Sequence, residues 1–273
     1  MPSAGIGSQT KPHLMEIALS KFQIFAGTLA DDAAAISMAW FRRHPDIDTK
    51  PDRSPVTLAD TSIEAHVRGT IRATYPDHGI LGEEYGDYQL QSDYVWVIDP
   101  IDGTASFIIG SPLWGTLIAL LHRGEPVMGM LDVPALKERW TGTPDCCMAH
   151  DGTTCHTRHC LSLSDATVCA TSPDMFADEE RAVFDALTSR AKARRFGGDC
   201  YNYAMLASGY LDAVVEAGLE PYDFLSMVPI IESAGGAISD WNGKPLRMES
   251  DGRVVAAATR ELHREILSFS AAS

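Results

Sequence analysis

The sequence predicts an α/β fold: a layered sandwich whose N-terminal part is α+β. Two observations carry this. From residue 166 onward, short apolar runs alternate with amphipathic ones: "ATVCATS", "DEERAVFDALTSRA", "ARRFGG", "CYNYAMLASG" and "LDAVVEAGL". Strands alternating with helices make an α/β layer. Ahead of them, a long helical stripe is followed by closely spaced apolar runs joined by tight turns, which read as helices laid on a mostly hairpin-connected sheet. The change of rhythm divides the chain into an N-terminal subdomain, 1–162, and a C-terminal subdomain, 163–273.

In order, Leu14 to His44 reads as one helix. Leu14, Ile17, Ala18, Phe22, Phe25, Ala26, Leu29 and Ala33 recur at helical spacing, and Pro45 ends it. "SPVTLAD" is a short strand ending in Asp60, which is placed to cap a helix striped by Ile63, Val67 and Ile71. "HGILGEEYG" is an apolar strand running into two acids. "YVWVID" is almost continuously apolar, so it is covered on both faces. "PLWGTLIALLHRGEPVMGMLDVP" is a hairpin turning at His122–Glu125, and "ERWTGTP" extends the sheet. Near the end come a helix from Asp223, the strands "GGAISDW" and "VVAAAT", and a last helix.

Composition narrows the function. With 273 residues, 45% hydrophobic and 22% charged, the chain has the make-up of a soluble globular protein. It has no run long and apolar enough for a membrane span. The start, "MPSAGIGSQTKPH", lacks a basic region followed by an apolar stretch; it reads as a loose leader, and the expected location is cytoplasmic. A net charge of −15 argues against nucleic acid as a partner. The same charge means that an anionic substrate needs cations to mediate. Six cysteines without a signal peptide read as reduced thiols. "CCMAHDGTTCHTRHC" admits a polar hairpin with incidental thiols or a zinc cluster, although its spacing fits no CxxC…CxxC pattern.

The chemistry centres on "VWVIDPIDGTASF". Asp99 ends the buried strand, Pro100 fixes φ, and the Ile101 carbonyl is free to turn outward. Asp102 follows, and Gly103 can adopt positive φ. A helix starting at Thr104 aims the amides of Gly103, Thr104 and Ala105 into the same space, where an anion binds well. Two carboxylates and a carbonyl suit a hard cation such as Mg²⁺. Taken alone, the hexapeptide "DPIDGT" also reads as a turn with a helix cap. "GEE" (82–84) and "EPYDF" (220–224) place further acids at element ends. Converging acids repel unless metal ions neutralise them.

The pair "DPIDGTASF" and "YDFLSMVPIIESAGG", with "GEE" before them, resembles the inositol monophosphatase family of metal-dependent phosphatases. The family reads DP(I/L)DGT and WDxxAGxxIxxEAGG at these places, and the likeness runs from "VTLAD" to "GGAISDWNG". "TSPDMF", "FGGDCYNYAMLASG", "LEPYDF" and "SFIIGSPLWGTLIALL" resemble its histidinol-phosphate phosphatase branch. The resemblance implies the αβαβα sandwich of the inositol monophosphatase and sugar phosphatase type, with the site between the two subdomains, and a homodimer.

It also implies the site. Glu83 and Asp99, with the Ile101 carbonyl, bind a first Mg²⁺; Asp99 bridges to a second, completed by Asp102 and Asp223, with two or three ions per subunit. Thr104 and Asp60 form a hydrogen-bonded pair that orients and deprotonates water, with Glu84 as a helper. The implied reaction is hydrolysis of a phosphate monoester, histidinol phosphate, by metal-activated water. Asp199, Glu216 and Glu220 fall on the side that receives the alcohol, where acids suit a cationic leaving group. Each also has a plainer reading: Asp199 as a helix cap, Glu216 and Glu220 as flanks of a strand end.

Two departures stand out. Ala105 replaces a lysine or other polar residue usual in the branch, and Tyr222 replaces the wider family's tryptophan. Pro229 falls inside the last motif helix and is expected to kink it. The alternatives are an inositol-1-phosphate or other sugar- or nucleotide-phosphate phosphatase on the same scaffold, or a non-catalytic metal-binding regulator. No GxSxG elbow is present, and no cysteine sits in a recognisable anion loop.

Overall fold

The computed structural model describes residues 10–43, 47–49 and 55–270. In chain order its elements are α1 (Thr10–Trp40), β1 (Ile47–Thr49), β2 (Pro55–Thr57), α2 (Leu58–Thr74), β3 (Gly79–Gly82), β4 (Tyr94–Asp102), α3 (Thr104–Ile108), β5 (Gly115–His122), β6 (Glu125–Val133), β7 (Glu138–Gly142) and β8 (Cys147–Ala149). The second half continues with β9 (Thr167–Ala170), α4 (Asp178–Thr188), β10 (Ala193–Phe196), α5 (Tyr201–Ala207), β11 (Ala213–Glu216), α6 (Pro221–Phe224), α7 (Met227–Ser233), β12 (Ala237–Asp240), β13 (Val254–Ala257) and α8 (Arg260–Ser270).

Two large sheets organise the fold. One has the order β3-β4-β5-β6-β7-β8, the other β10-β9-β11-β13-β12. In the first, β3 runs parallel to β4 and every other pair is antiparallel. In the second, β9 lies parallel to both β10 and β11, while β13 is antiparallel to β11 and β12.

Strand alternation then sets the layers, because successive side chains face opposite ways. Trp96, Ile98, Ile118 and Leu120 pack with Phe22, Leu29 and Ile63 of α1 and α2 in one core. Their neighbours Val95, Val97, Leu117 and Ala119 face the other way, against Tyr203 of α5 and Ile230 of α7. The same middle core takes in Val214, Val254 and Ala256 of the second sheet. The far face of that sheet, through Val168, Val215 and Val255, packs with Phe184 of α4 and Leu262 of α8. Helices, sheet, helices, sheet, helices: the result is the αβαβα sandwich expected from the sequence.

Several boundaries differ from the sequence reading. The first helix ends at Trp40 rather than His44: Arg42 takes a left-handed φ of 59°, and its Nε–H donates to the Gly110 carbonyl at 3.0 Å. Pro45, the expected stop, lies outside the described residues. The second helix starts at Leu58, so Asp60 lies inside its first turn, buried, instead of capping it. The helix placed at Asp223 starts at Pro221 and is split into α6 and α7 around Leu225–Ser226. Pro229 has no N–H to offer the carbonyl four residues back, Leu225, which is where the split falls. All six cysteines are free, and five are buried.

Candidate active site

The site is built where the strands of the first sheet release their C-terminal ends. In the parallel β3–β4 pair Gly82 lies opposite Ile98. Glu83, the first residue past β3, therefore comes beside Asp99, which continues β4. Asp99 is buried; Asp60 is buried nearby in the first turn of α2.

A bulge brings Asp102 to the same place. Asp99 pairs with Leu117 and Asp102 with Gly115, so three steps on β4 match two on β5. In a regular strand, residues three apart point to opposite faces; one extra residue restores them to one face. Pro100 sits in this bulge, where no ladder bond is asked of it, and its carbonyl accepts the Thr116 hydroxyl at 2.8 Å. α6 supplies the third acid. Asp99, Asp102 and Asp223 each offer an oxygen such that all three lie within 4.8 Å of one another, and among the described residues this is the group able to hold a metal ion. The Cys/His stretch 146–160 gathers no such group among them.

Hydrogen bonds hold these acids from outside the cluster. Asp223 Oδ2 accepts the Glu220 N–H at 2.8 Å, and Asp102 Oδ2 accepts the Cys200 N–H at 2.8 Å. Asp99 Oδ1 is buried with no hydrogen-bond partner. Burial, reinforced by the charges of Glu83, Asp102, Asp223 and Asp60, pushes the Asp99 carboxyl well above the usual range. Burial and the neighbouring Asp223 and Asp199 charges do the same to Asp102. Asp223, chiefly through burial, is pushed up to about 7. An orphaned carboxylate oxygen inside a knot of mutually repelling acids is an oxygen-only donor set that fits a hard divalent cation.

Past the bulge, Gly103 adopts φ 81° and opens the short α3. A side chain here would press on Asp199, whose Cβ and Cγ would lie 3.0 Å from a Cβ at this position. The Thr104 hydroxyl donates to the Ile101 carbonyl at 3.0 Å. The one proton of that hydroxyl thus serves its own turn rather than Asp60. The Ile101 carbonyl retains a second lone pair. Ala105 is exposed.

On the far side, Asp102, Asp223, Asp199 and Glu216 line one cavity together with Thr171 and Tyr203. Asp199 takes a left-handed φ of 45°, and its Oδ2 accepts the Ser106 hydroxyl at 2.7 Å, so its side chain does not cap α5. Glu216, at the end of β11, is buried. Its Oε1 accepts the Thr171 N–H and hydroxyl at 2.8 and 2.7 Å, and its Oε2 accepts the Tyr203 hydroxyl at 2.8 Å. Burial raises both carboxyls. Glu220 is exposed at the start of α6 and does not line this cavity. Glu84 contributes its backbone: its N–H donates to Glu64 Oε2 at 2.6 Å. Ser106, Thr171, Tyr203 and Cys200 were not singled out from the sequence. Their only signal there is that polar groups flank the motifs.

An acid cluster beside a cavity lined by further acids, in an αβαβα sandwich, coincides with what similarity finds. A profile of the inositol monophosphatase family matches residues 18–272. This chain belongs to that family. It is thus a phosphoric monoester hydrolase of a generally metal-dependent kind. The chloroplastic bifunctional phosphatase IMPL2 of Arabidopsis thaliana is 42% identical over 271 residues, covering 96% of this chain and 78% of the relative. The histidinol-phosphatase of Chlorobaculum parvum is 34% identical, covering 84% and 89%. An inositol monophosphatase structure from Zymomonas mobilis superposes with a TM-score of 0.85 at 42% identity, covering 92% of this chain and 98% of that one. No helix among the described residues is long and apolar enough to cross a membrane.

Proposed function

We propose that this member of the family hydrolyses histidinol phosphate to histidinol and phosphate, with Mg²⁺ as its cation. The observation that carries the reading is the cavity shared by two kinds of acid. Asp102 and Asp223 belong to the metal-type cluster; Asp199 and Glu216 line the same cavity from outside that cluster. Histidinol phosphate presents an anionic phosphoryl group at one end and an ammonium and an imidazole at the other. Carboxylates suit that second end and suit a neutral polyol less. The histidinol-phosphatase of Chlorobaculum parvum and the chain's own "FGGDCYNY" and "LEPYDF" stretches support the same substrate.

In this reading Glu83, Asp99 and the Ile101 carbonyl would hold one Mg²⁺, and Asp99, Asp102 and Asp223 would hold a second. Bound divalent cations supply a positive field for the anionic ester, a lowered pKa for water and stabilisation of the departing alkoxide. The amides of Gly103, Thr104 and Ala105 hold phosphoryl oxygens. Asp60, with Thr104, orients the attacking water and accepts its proton, with Glu84 as a helper. The water oxygen would bond to phosphorus as the ester P–O bond breaks, and the departing alkoxide would take up a proton from solvent, while Asp60 returns its own to solvent. Ser106 fixes the Asp199 carboxylate toward the cationic end, while Thr171 and Tyr203 fix that of Glu216. The protein is read as a cytoplasmic homodimer that takes small phosphate monoesters.

A second reading, inositol-1-phosphate or another sugar phosphate, is favoured by the Zymomonas mobilis inositol monophosphatase and by IMPL2 being a bifunctional phosphatase. A panel of phosphate monoesters assayed with Mg²⁺ separates the two. We expect kcat/KM for histidinol phosphate to exceed that for inositol 1-phosphate by tenfold or more; parity or the reverse order replaces the first reading with the second.

A further inference from the structure

Glu64 is a fully buried carboxylate one helical turn beyond Asp60 on α2, yet it belongs to no acid cluster. Residues four apart share a helix face, so both project toward the C-terminal end of β3. Every acceptor position of Glu64 that the structure fills is directed at one short loop or its anchor. Oε2 accepts the Glu84 N–H at 2.6 Å; Oε1 accepts the Tyr85 N–H at 3.1 Å and Arg68 Nη1 at 3.2 Å. The same Arg68 nitrogen donates to the Gly86 carbonyl at 2.8 Å. Gly82 permits this approach. A Cβ there would lie 2.1 Å from Glu64 Oε1 and 2.5 Å from its carboxyl carbon.

Between these anchors sits Glu83. On its N-terminal side, Gly82 is pinned to Ile98 by the β3–β4 ladder; on its C-terminal side, Glu84 and Tyr85 are pinned by Glu64. Burying a charge without pairing is costly, and Glu64 meets that cost with charge-assisted bonds to backbone and to Arg68. A polar residue serving only the stability of α2 has no need to be turned onto the loop.

We propose that Glu64 is a positioning residue for metal binding: it clamps the 84–86 backbone so that the Glu83 carboxylate is held beside Asp99, and with Asp60 it makes α2 the rigid mount for two edges of the site. The proposal rests on reading the acid cluster as a Mg²⁺ site. Ligand-bearing groups need placement within a fraction of an ångström, and loss of a partner that orients a ligand lowers metal affinity by about 10–100-fold.

The test is Mg²⁺ binding by isothermal titration calorimetry on the full chain, with Mg²⁺ activation of histidinol phosphate hydrolysis alongside. For Glu64→Ala we expect the Mg²⁺ Kd and the half-activating Mg²⁺ concentration to rise about tenfold or more. At saturating Mg²⁺, kcat should return to within about threefold of wild type and KM should stay unchanged. The near-isosteric Glu64→Gln keeps one acceptor for the loop and should shift both constants the same way by about threefold; it carries the test should the alanine variant fail to fold. A Glu64→Gln or Glu64→Ala protein that melts earlier but binds Mg²⁺ within about twofold of wild type makes Glu64 purely structural and overturns the proposal. If wild type itself binds no Mg²⁺, the metal reading falls and takes the proposal with it; if wild type binds and the variants bind equally, only the clamp falls.

Discussion

The backbone N–H of Cys200 donates to Oδ2 of Asp102 across 98 residues of chain. Through this bond the bulge of the first sheet grips the loop that leads into α5, and the metal-type cluster meets the wall bearing Asp199. The bond also makes Asp102 a clean site for substitution. In Asp102→Asn the carboxamide oxygen still accepts from Cys200, so the loop stays in place while the charge disappears. We expect kcat/KM to fall by about 100-fold or more, the scale of several kcal/mol for impaired metal catalysis, while the protein stripped of metal melts no earlier than wild type. Steady-state kinetics and calorimetry in chelator read the two outcomes; near-normal turnover removes Asp102 from the machinery.

Asp99 makes the complementary prediction about the metal itself. Its buried, unpartnered oxygen and the surrounding acids destabilise the fold when no cation is present. A ligand held at about 100 times its Kd stabilises by about 2.7 kcal/mol, which for a chain of this size raises Tm by roughly 5–10 °C. Mg²⁺ should therefore raise Tm by that amount over chelated protein. Asp99→Asn should raise the Tm of chelated protein, because a repulsive charge is gone, and should flatten the Mg²⁺ response along with activity. Identical Mg²⁺ shifts in wild type and variant would contradict this account.

The parts of this site that depend on one strand or one motif were legible in the sequence. The near-continuous apolar run of β4 marked it as covered on both faces, and the acids stood visibly at the ends of β3 and β4. What depends on a partner strand was not. Whether Asp99 and Asp102 share a face is decided by the β5 register, since only the Leu117 and Gly115 pairings reveal the extra residue. Glu64 lies between Ile63 and Val67 in a stripe that reads as an ordinary amphipathic helix. Its buried role follows from a loop 20 residues away. Ser106 meets Asp199 across 93 residues, a contact that no local pattern encodes. The early end of α1 follows from Arg42 reaching Gly110, again a tertiary event.

Asp199 and Glu220 should separate in their effects on substrate choice. Asp199 lines the cavity in a left-handed conformation that asparagine tolerates well, and an amide oxygen can still accept from Ser106. Asp199→Asn thus removes charge with little change of shape. We expect KM for histidinol phosphate to rise by about tenfold, the scale of a lost charge-assisted contact, with KM for inositol 1-phosphate changed by less than about twofold. Glu220→Gln, at an exposed position outside the cavity, should shift the histidinol phosphate KM in the same direction but by a smaller factor. Parallel shifts for both esters in Asp199→Asn would mean that its charge does not select the leaving group.

The last prediction concerns stability away from the site. Asp212 is buried ahead of β11, where the Arg158 guanidinium donates to both its oxygens and the Thr167 N–H donates to Oδ2 at 2.7 Å. Burial pushes this carboxyl up, but the Arg158 bonds, the Thr167 amide and the Cys160 thiol outweigh it and hold the group below its ordinary value. A carboxyl with a depressed folded pKa stabilises the fold above its unfolded pKa of about 3.9. That contribution is lost as pH falls through the folded value, because the unfolded chain then binds the extra proton. Arg158 is itself partly exposed, so the pair is worth less than a fully buried one. Asp212→Asn should cost about 2 kcal/mol at pH 7 by urea unfolding. The gap between wild type and variant should hold from pH 7 to pH 5 and narrow only below about pH 4. A gap unchanged at pH 3 would show that the Asp212 charge is not what Arg158 and Thr167 stabilise.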